Sequence, residues 1–382
     1  MEEASKVSPA ELVEQVDSKI EMVRTRTLDV SFNELLDMYK NKELEIHPEY
    51  QRLFRWSEEK QSRFIESLIL EMPIPPIYVI EKEEGIYELI DGLQRISSYL
   101  HFRGALEAGD DEDQLLRLTG CDIVHELNGF TYNELPKVLQ IKLKRNFIRV
   151  EVIRKGSDQR LRYYMFKRLN TGGEMLSEQE IRNSTIRLLD DTFNNFIIRM
   201  SQVSDFKTCI THLSEEKREQ KYDQEYVLKF FAYKNDREHY RKSIAPFLTN
   251  YMEKVSYSRI DTEKEPTEFN YTEEEEVFRK TFAILRSSLG EYAFARVQNN
   301  KFVASLSPTH FDAFTLGIQD YLHRLEPENQ EQMQELGNLL KLIKSESKFL
   351  EAASGGGKNT ANYLNQRIQF VKEKVGEWLD GE

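Results

Sequence analysis

The chain has 382 residues, of which 39% are apolar, so it can bury a large core. Because domains usually run about 100–200 residues, this length predicts roughly two domains. The net charge of −13 gives no overall basic signature for wrapping nucleic acid, so a contact with DNA would need a local basic patch. Two widely separated cysteines, Cys121 and Cys209, argue against a disulfide scaffold and against a cysteine-rich zinc site.

The first residues, MEEASKVSPAELVEQ, are acidic and lack a long apolar run, which argues against a signal peptide. No segment approaches the roughly 18 uninterrupted apolar residues of a membrane span. These two features predict a cytoplasmic protein with no membrane partner.

The N-terminal part begins with a polar extension, 1–27, that carries a helical pattern from Pro9 to Val23. Ser31 to Lys40 and Ser57 to Met72 are predicted helices with serine N-caps and acidic side chains in the first turn. A short strand is predicted between them, from Leu44 to Ile46.

Alternating apolar patterns predict strands at Ile77–Glu81, Ile86–Ile90 and Phe147–Ile153. Helices are predicted at Leu93–Phe102 and Pro136–Lys144. A further helical pattern follows, Asp158–Leu169, which the turn 170–173 breaks before a capping box at Ser177 restarts it.

Beyond about residue 181 strand signals nearly vanish, and apolar residues recur at helical spacing. The clearest helical segments are Tyr226–Tyr233, Glu274–Leu289, Thr309–Leu325 and Gln330–Leu350. The pattern predicts an α+β architecture: the extension 1–27, a domain with a small mixed sheet over 28–184, and an all-α domain over 185–382.

The turn between the predicted strand Ile86–Ile90 and the helix that follows it carries the sequence Asp91-Gly92-Leu93-Gln94-Arg95. Gly92 permits a sharp turn, and the free amides of the following helix start favour an anion. Arg95 could hold a phosphate in a bidentate fork, Asp91 could hold a metal ion or orient water, and Gln94 could contact a base or ribose edge. The alternative interpretation is an N-capping Asp91, a turn glycine and a solvent-facing Arg95.

Two further turns have similar chemistry. The first of them contains two cations, an amide and an indole, from Gln51, Arg52, Arg55 and Trp56. These groups suit the binding of a nucleotide or a nucleic-acid strand. The alternative is an arginine–tryptophan stack on the surface. The third turn contains Arg168, Asn170, Thr171, Gly172 and Gly173. These residues either supply polar donors in a glycine-rich binding turn or simply end the preceding helix.

The stretch 137–168 is locally basic. It holds eleven basic side chains against two acidic ones, a local net charge of +9. Lys142, Lys144 and Arg145 are candidate DNA contacts, whose affinity would fall with salt. The alternative is that this charge balances an acidic surface of the helical domain.

Four ordered stretches carry a resemblance to a known family: IHPEYQRLFRW, SLILEMPIPPIYVI, YELIDGLQRISSYLHF and FKRLNTGGEMLSEQEIRN. Over about residues 28–184 the sequence resembles the N-terminal domain of GmrSD-type modification-dependent restriction proteins, within the ParB/sulfiredoxin-like superfamily. The family's DGQQR-type motif has Gln where this chain has Leu93, which puts base selectivity or hydrolysis in doubt.

The resemblance implies a ParB-like nucleotide or nuclease domain of a prokaryotic defence system. It implies that Asp91, Gly92, Gln94 and Arg95 form the signature, with Gln51, Arg52 and Asn170 facing the same pocket. Together with the chemistry of the three turns, it predicts a nucleoside triphosphate and Mg²⁺ or another divalent metal as cofactors. Ser97 joins the predicted phosphate-binding residues. DNA, a partner defence protein and a second copy of the chain are the expected partners.

Two other motifs do not support chemistry. Relatives often carry a C-terminal HNH nuclease, but the seven histidines of this chain include no HNH-like cluster, and His310 and His323 are widely spaced. The run from Ser354 to Thr360 lacks the first glycine and the final Ser or Thr of a Walker A loop, so it is predicted to be an ordinary loop.

Three functions remain open on the sequence. The first is an NTP-hydrolysing domain in which Arg52 and Arg95 clamp phosphates and Asp91 holds Mg²⁺ or orients water. The second is a non-catalytic switch that only binds a nucleotide or a nucleic-acid end. The third is a nicking nuclease that uses Asp91 and Arg95 on a DNA phosphodiester.

Overall fold

A computed structural model describes residues 8–21, 24–46, 56–106, 115–158, 163–165, 168, 177–187, 189–257, 269–355 and 357–381. The chain divides into two compact units, 1–173 and 174–382. This division precedes the predicted boundary at 184, so the helix that starts after Ser177 belongs to the second unit.

The first unit combines helices with a five-stranded sheet. Its helices are α1 (Pro9–Glu21), α2 (Phe32–Lys40), α3 (Glu58–Ile69), α4 (Leu93–Phe102) and α5 (Lys137–Arg145). Its strands are β1 (Thr25–Ser31), β2 (Leu44–Glu45), β3 (Ile77–Glu83), β4 (Ile86–Asp91) and β5 (Phe147–Ile153).

The strand order is β1-β5-β3-β4-β2, and the sheet is mixed. β1 pairs antiparallel with β5, β5 parallel with β3, β3 antiparallel with β4, and β4 parallel with β2. A mixed sheet followed by a helical region confirms the α+β class. β1 is absent from the predicted elements, and it starts at Thr25, inside the segment predicted as an extension.

Three chain segments meet at one end of this sheet. Tyr78 at the start of β3 pairs with Asp91 at the end of β4. Ile77 pairs with Val150, so the start of β5 lies at the same end. The strand directions therefore bring the turn after β4 and the first residues of β5 to the same end of the sheet.

Local signals fix the helix starts as predicted. The hydroxyl oxygens of Ser31, Ser57 and Ser177 accept hydrogen bonds from the backbone N–H three residues later, at 3.1, 3.4 and 3.2 Å. These bonds satisfy donors that a helix start leaves unpaired. Behind the caps, α2 and α4 are joined in the core by Phe32 and Tyr99, whose ring centroids are 4.8 Å apart.

The second unit is built mainly of helices. They are α6 (Glu178–Ile186), α7 (Asp191–Ser201), α8 (Ser204–Cys209), α9 (Glu215–Glu219), α10 (Tyr222–Asp236), α11 (Ile244–Tyr257), α12 (Tyr271–Leu289), α13 (Pro308–Gly317), α14 (Gln330–Ile343), α15 (Ser347–Ala353) and α16 (Ala361–Asp380). A hairpin of β6 (Arg296–Gln298) and β7 (Lys301–Val303), which is not among the predicted elements, completes the unit.

Two long helices of the prediction are shorter in the structure. The pattern predicted as one helix over 309–325 is α13 followed by a 3₁₀ segment, Gln319–Arg324. The pattern predicted over 330–350 is split between α14 and α15. Over the described ranges, no helix has both the length and the apolar character needed to cross a bilayer.

Lys344, directly after α14, is fully buried in the second unit. Its ammonium donates hydrogen bonds to the carbonyl oxygens of Tyr292 and Ala293, at 2.7 and 2.9 Å. Burial lowers the pKa of Lys344 from 10.5 to about 7. Between these two values the unfolded chain holds a proton that the folded chain does not, so the free energy of unfolding should rise with pH in that window.

We expect this rise to be at most about 1.4 kcal/mol per pH unit from Lys344 alone. Replacing Lys344 with Met, which keeps the length but cannot titrate, should remove it. The measurement is urea unfolding from pH 7 to 10 in a Trp56→Phe background, where Trp378 is the sole tryptophan and reports on the second unit. Equal slopes for Lys344→Met and its parent would mean that the two carbonyls keep the folded lysine protonated.

Candidate functional site

The turn between β4 and α4 has the predicted shape. Gly92 is buried and adopts φ 101° and ψ 12°, a left-handed conformation that glycine reaches without strain. A Cβ at this position would lie 2.3 Å from Ile77 Cγ2. Both the backbone angle and the close approach of β3 therefore require glycine.

Arg95 and Asp91 form an ion pair across this turn. Arg95 Nη2 lies 2.8 Å from Asp91 Oδ2 and also donates a hydrogen bond to the carbonyl oxygen of Pro76, at 3.2 Å. The Arg95 side chain is only 15% exposed, and its Nε is buried with no hydrogen-bond partner in the described part of the chain. Buried guanidinium donors are usually hydrogen-bonded, so this Nε is a donor that an acceptor at the turn could use.

These contacts contradict two parts of the alternative interpretation of the motif, the N-capping Asp91 and the solvent-facing Arg95, and agree with its turn glycine. The N-cap of α4 is Gly92, and no side chain caps this helix. Asp91 is instead the last residue of β4, and Arg95 does not face solvent. The motif therefore holds the guanidinium of Arg95 against the turn between β4 and α4.

Gln94 connects this turn to the segment that leads into α3. Its Oε1 accepts a hydrogen bond from the backbone N–H of Trp56, at 3.1 Å. The Trp56 carbonyl oxygen accepts in turn from Gln61 Nε2 at 2.8 Å, and Gln61 Oε1 lies 2.8 Å from His101 Nδ1. The carbonyl end of Gln94 thus has a positioning role, and its predicted contact with a base or ribose edge stays a prediction.

Several predicted site residues lie outside the described residues. They are Gln51, Arg52, Arg55, Asn170, Thr171, Gly172 and Gly173. Of the third predicted turn only Arg168 is described, as an exposed helical residue. The predicted convergence of Arg52, Arg95 and Asn170 on one pocket therefore stays a prediction.

A groove of about 800 Å³ opens at the same end of the sheet. It lies between the loop after α3, the helix α5 and the start of β5. Two of the three candidate DNA contacts, Lys142 and Arg145, line it, whereas Lys144 is half-buried on α5 and is not part of its lining. Pro76 also lines the groove, and its carbonyl oxygen is the acceptor of Arg95. The groove and the Asp91–Arg95 pair are therefore adjacent.

The cations of the groove differ in how far they are neutralised. Lys142 Nζ lies 3.4 Å from Glu71 Oε1, and Arg149 Nε lies 3.4 Å from Asp29 Oδ1. Arg145 is exposed and forms no ion pair with the described residues. Lys142 and Arg149 are thus paired with carboxylates of the first unit itself, whereas Arg145 has no such pair in the described part of the chain.

Apolar side chains stand beside these cations. Phe147 is 61% exposed and Val138 is 74% exposed, although both line the groove. An exposed aromatic ring next to a guanidinium is the arrangement on which nucleobases stack in single-strand binding proteins. The groove therefore combines three cations and exposed apolar side chains with three carboxylates, those of Asp29, Glu71 and Glu151.

Comparison with known families gives one match. Residues 32–187 match the model of the GmrSD restriction endonuclease N-terminal domain. Over these residues the chain is similar to that domain. The searches of curated proteins and of solved structures gave no match. The match confirms the predicted resemblance, and it covers β2 to β5, the Asp91–Arg95 turn and the groove lining except Asp29, whereas β1 precedes it.

Two residues near the motif of this GmrSD N-terminal domain lie in its core. Leu93, where the family motif has Gln, is 5% exposed. Ser97 is fully buried, and its Oγ has no hydrogen-bond partner among the described residues. A ligand could reach either side chain only if the surrounding packing opened, so the substitution at Leu93 changes core packing before it changes any contact with a ligand.

The predicted metal can be tested against the donors at hand. Within the described ranges, no three His, Cys, Asp or Glu side chains come together as a metal site. Asp91 is the predicted metal ligand, and its Oδ2 already accepts a hydrogen bond from Arg95. A single carboxylate suits Mg²⁺ only when phosphate oxygens and water complete the coordination. Mg²⁺ at Asp91 therefore stays a prediction tied to a bound nucleotide.

Sequence reasoning missed two parts of the candidate site. Phe147 lines the groove, and the Pro76 carbonyl oxygen anchors Arg95. The alternation in FIRVEVI places Phe147 on the same face of β5 as Arg149, a cation of the predicted basic stretch, so a two-residue period could have identified it. The role of a backbone carbonyl has no sequence signal.

Proposed function

We propose that the GmrSD N-terminal domain of this chain binds a nucleoside triphosphate and hydrolyses it, in a prokaryotic restriction or antiviral defence system that acts on DNA. The supporting observation is the turn at Gly92. There a left-handed glycine, the first amides of α4 and the Arg95 guanidinium lie together, and a Cβ on Gly92 would be only 3.3 Å from Arg95 Nη2. A helix start with an adjacent guanidinium is a phosphate-binding arrangement.

The Asp91–Arg95 pair suggests how binding and hydrolysis are linked. A phosphate group that approaches the turn competes with Asp91 for the guanidinium. When Arg95 turns to the phosphate, the carboxylate of Asp91 is released and can accept the proton of an attacking water. Mg²⁺ bound with the triphosphate would neutralise developing charge on the phosphate oxygens. Arg52 and Asn170 are proposed to complete the pocket.

The proposed partner is DNA, and the groove beside Pro76 supports it. Arg145 is an exposed cation without an ion pair among the described residues, and Phe147 offers an exposed ring. The family is that of a restriction endonuclease, which acts on DNA, and its name supports the defence role. We further propose the ParB/sulfiredoxin-like class for the mixed sheet, on the basis of the same family match.

A non-catalytic switch is the second candidate, and the ion pair favours it. In the structure the carboxylate that would assist hydrolysis is engaged with Arg95 at 2.8 Å. If that pair re-forms whenever the site is empty, nucleotide binding alone would change the turn and its link to Trp56 through Gln94. A nicking nuclease at the same pocket is the third candidate.

The experiment measures phosphate release from the four common NTPs, with and without DNA, and nicking of supercoiled plasmid. Asp91→Asn should reduce phosphate release by about a hundredfold or more if the carboxylate accepts a proton. Asp122→Asn is the matched control, because Asp122 belongs to an exposed pair with Arg63 at 3.7 Å in the same unit.

Each candidate predicts a different outcome. Phosphate release that depends on Asp91 but not on Asp122 supports hydrolysis. Nucleotide binding without phosphate release under any condition supports the switch and contradicts hydrolysis. Plasmid nicking that is lost with Asp91→Asn, without phosphate release, supports the nuclease.

A further inference from the structure

A second groove, of about 770 Å³, lies in the second unit between the end of α10 and the helix α16. Its lining is almost entirely polar. The lining residues are Lys234, Asn235, Arg237, Glu238, Asn362, Asn365, Gln366, Ile368 and Gln369. None of them belongs to the site described above.

One wall of this groove is a row of side-chain amides. Asn362, Asn365, Gln366 and Gln369 lie at spacings of three and four residues on α16, so they share one helix face, and all four are exposed. Gln369 Nε2 donates a hydrogen bond to Glu373 Oε1 at 3.0 Å. The amides of Asn362, Asn365 and Gln366 make no side-chain hydrogen bond within the described part of the chain, so their donors and acceptors are available.

The opposite wall carries one cation without an ion pair among the described residues, Arg237. Its neighbour Lys234 is neutralised by Glu274, at 3.0 Å from Nζ to Oε1. Arg237 is half-buried, and burial lowers its pKa although the carboxylate of Asp320, which is ion-paired with Lys372, attracts the guanidinium. Partial burial of an unpaired guanidinium is unfavourable, and an anion in the groove would offset it.

We propose that this groove binds a single strand of nucleic acid, with a backbone phosphate on Arg237 and base edges on the amides of Asn362, Asn365 and Gln366. The inference rests on the proposed action on DNA and adds a second contact surface to it. Asn and Gln side chains pair with adenine through one donor and one acceptor, which a carboxamide supplies and a cation does not.

Shape and charge favour a single strand over the alternatives. Reading a duplex requires an element that protrudes into its groove, whereas this surface is a hollow. Base edges become accessible to a hollow when the strand is unpaired. An acidic peptide would need several free cations, and among the described lining residues Arg237 is the one cation without an ion pair.

The test uses the full chain and fluorescence anisotropy with oligo(dA) and with an abasic strand of equal length. Asn365→Ala combined with Gln366→Ala should weaken oligo(dA) binding about tenfold and leave the abasic strand unchanged. Arg237→Gln should weaken both strands and reduce the slope of log affinity against log salt by about one. The matched controls Arg296→Gln and Gln298→Ala change exposed residues of β6, outside the groove, and should change neither.

The outcomes separate this inference from the proposed function. Oligonucleotide binding that is lost with Arg145→Gln but kept with Arg237→Gln and with the amide variant would overturn the second groove alone. Absence of binding to any strand would overturn both the groove and the proposed action on DNA. Loss of polyglutamate binding in Arg237→Gln, with oligonucleotide binding unchanged, would assign the groove to an acidic peptide instead.

Discussion

Replacing Gly92 with Ala should destabilise the first unit by about 2–6 kcal/mol, because two separate effects add. A non-glycine residue at φ 101° is strained by about 1–3 kcal/mol. The new methyl group would also lie 2.3 Å from Ile77 Cγ2, and forcing an extra group into a packed interior typically costs about 1–3 kcal/mol. The measurement is urea unfolding in a Trp378→Phe background, where Trp56 is the sole tryptophan and reports on the first unit.

Gly85 provides a matched control in the turn between β3 and β4. Its φ is also positive, at 83°, but a Cβ there would meet no atom within 4 Å. Gly85→Ala should therefore show the backbone effect without the clash. Equal destabilisation by the two substitutions would mean that Ile77 yields, and the close approach of β3 to the turn would not be a constraint on the site.

Replacing Asp312 with Asn should destabilise the second unit by about 3–5 kcal/mol, the range for breaking a buried ion pair by removal of one partner. Asp312 and Arg367 are each 2% exposed, and Asp312 Oδ2 lies 2.8 Å from Arg367 Nη2. Lys229 Nζ lies 2.6 Å from the other carboxylate oxygen. The substitution therefore leaves two cations close together in the interior without a counter-charge.

The exposed pair of Arg324 and Asp380 is the matched control for Asp312→Asn. It has the same residue types and the same 2.8 Å separation, but its side chains are 37% and 63% exposed. Asp380→Asn should change the free energy of unfolding by less than about 1 kcal/mol. Trp378 reports both variants in the Trp56→Phe background, and similar losses in the two would show that burial does not govern the strength of these pairs.

Helix starts were predictable because their signals are local. A serine followed by an acidic first turn fixed the caps at Ser31, Ser57 and Ser177, and each cap bond is present. The ends of the helices were less predictable than their starts. α13 ends at Gly317, which packs so closely against α16 that a Cβ there would lie 2.6 Å from Val371, a tertiary contact that no local pattern contains.

β1 was not predictable for a related reason. Its sequence, TRTLDVS, has few apolar residues, and four of its seven residues are exposed. It is a strand because Thr25 to Ser31 pair in full register with Ile153 to Phe147, more than a hundred positions along the chain. Strand propensity depends on such context, so an edge strand of this kind gives a weak signal.

In the site, the turn could be predicted and the state of its side chains could not. Asp-Gly before a helix indicates the sharp turn at Gly92, which the structure confirms. The pairing of Arg95 with both Asp91 and the Pro76 carbonyl depends on the position of β3 beside β4. Gln94 likewise gains its partner, the Trp56 amide, from tertiary packing.

The central claim is that Arg95 binds the phosphates of a nucleotide, and calorimetric titration of the full chain with each NTP tests it most directly. The account predicts that Arg95→Gln lowers affinity at least about tenfold, since charge-assisted bonds of a guanidinium are each worth about 1.5–3 kcal/mol. Arg63→Gln, which alters an exposed arginine of the same unit, should leave affinity unchanged, and Asp91→Asn, which frees the guanidinium, should retain it. Unchanged nucleotide affinity in Arg95→Gln would contradict the account.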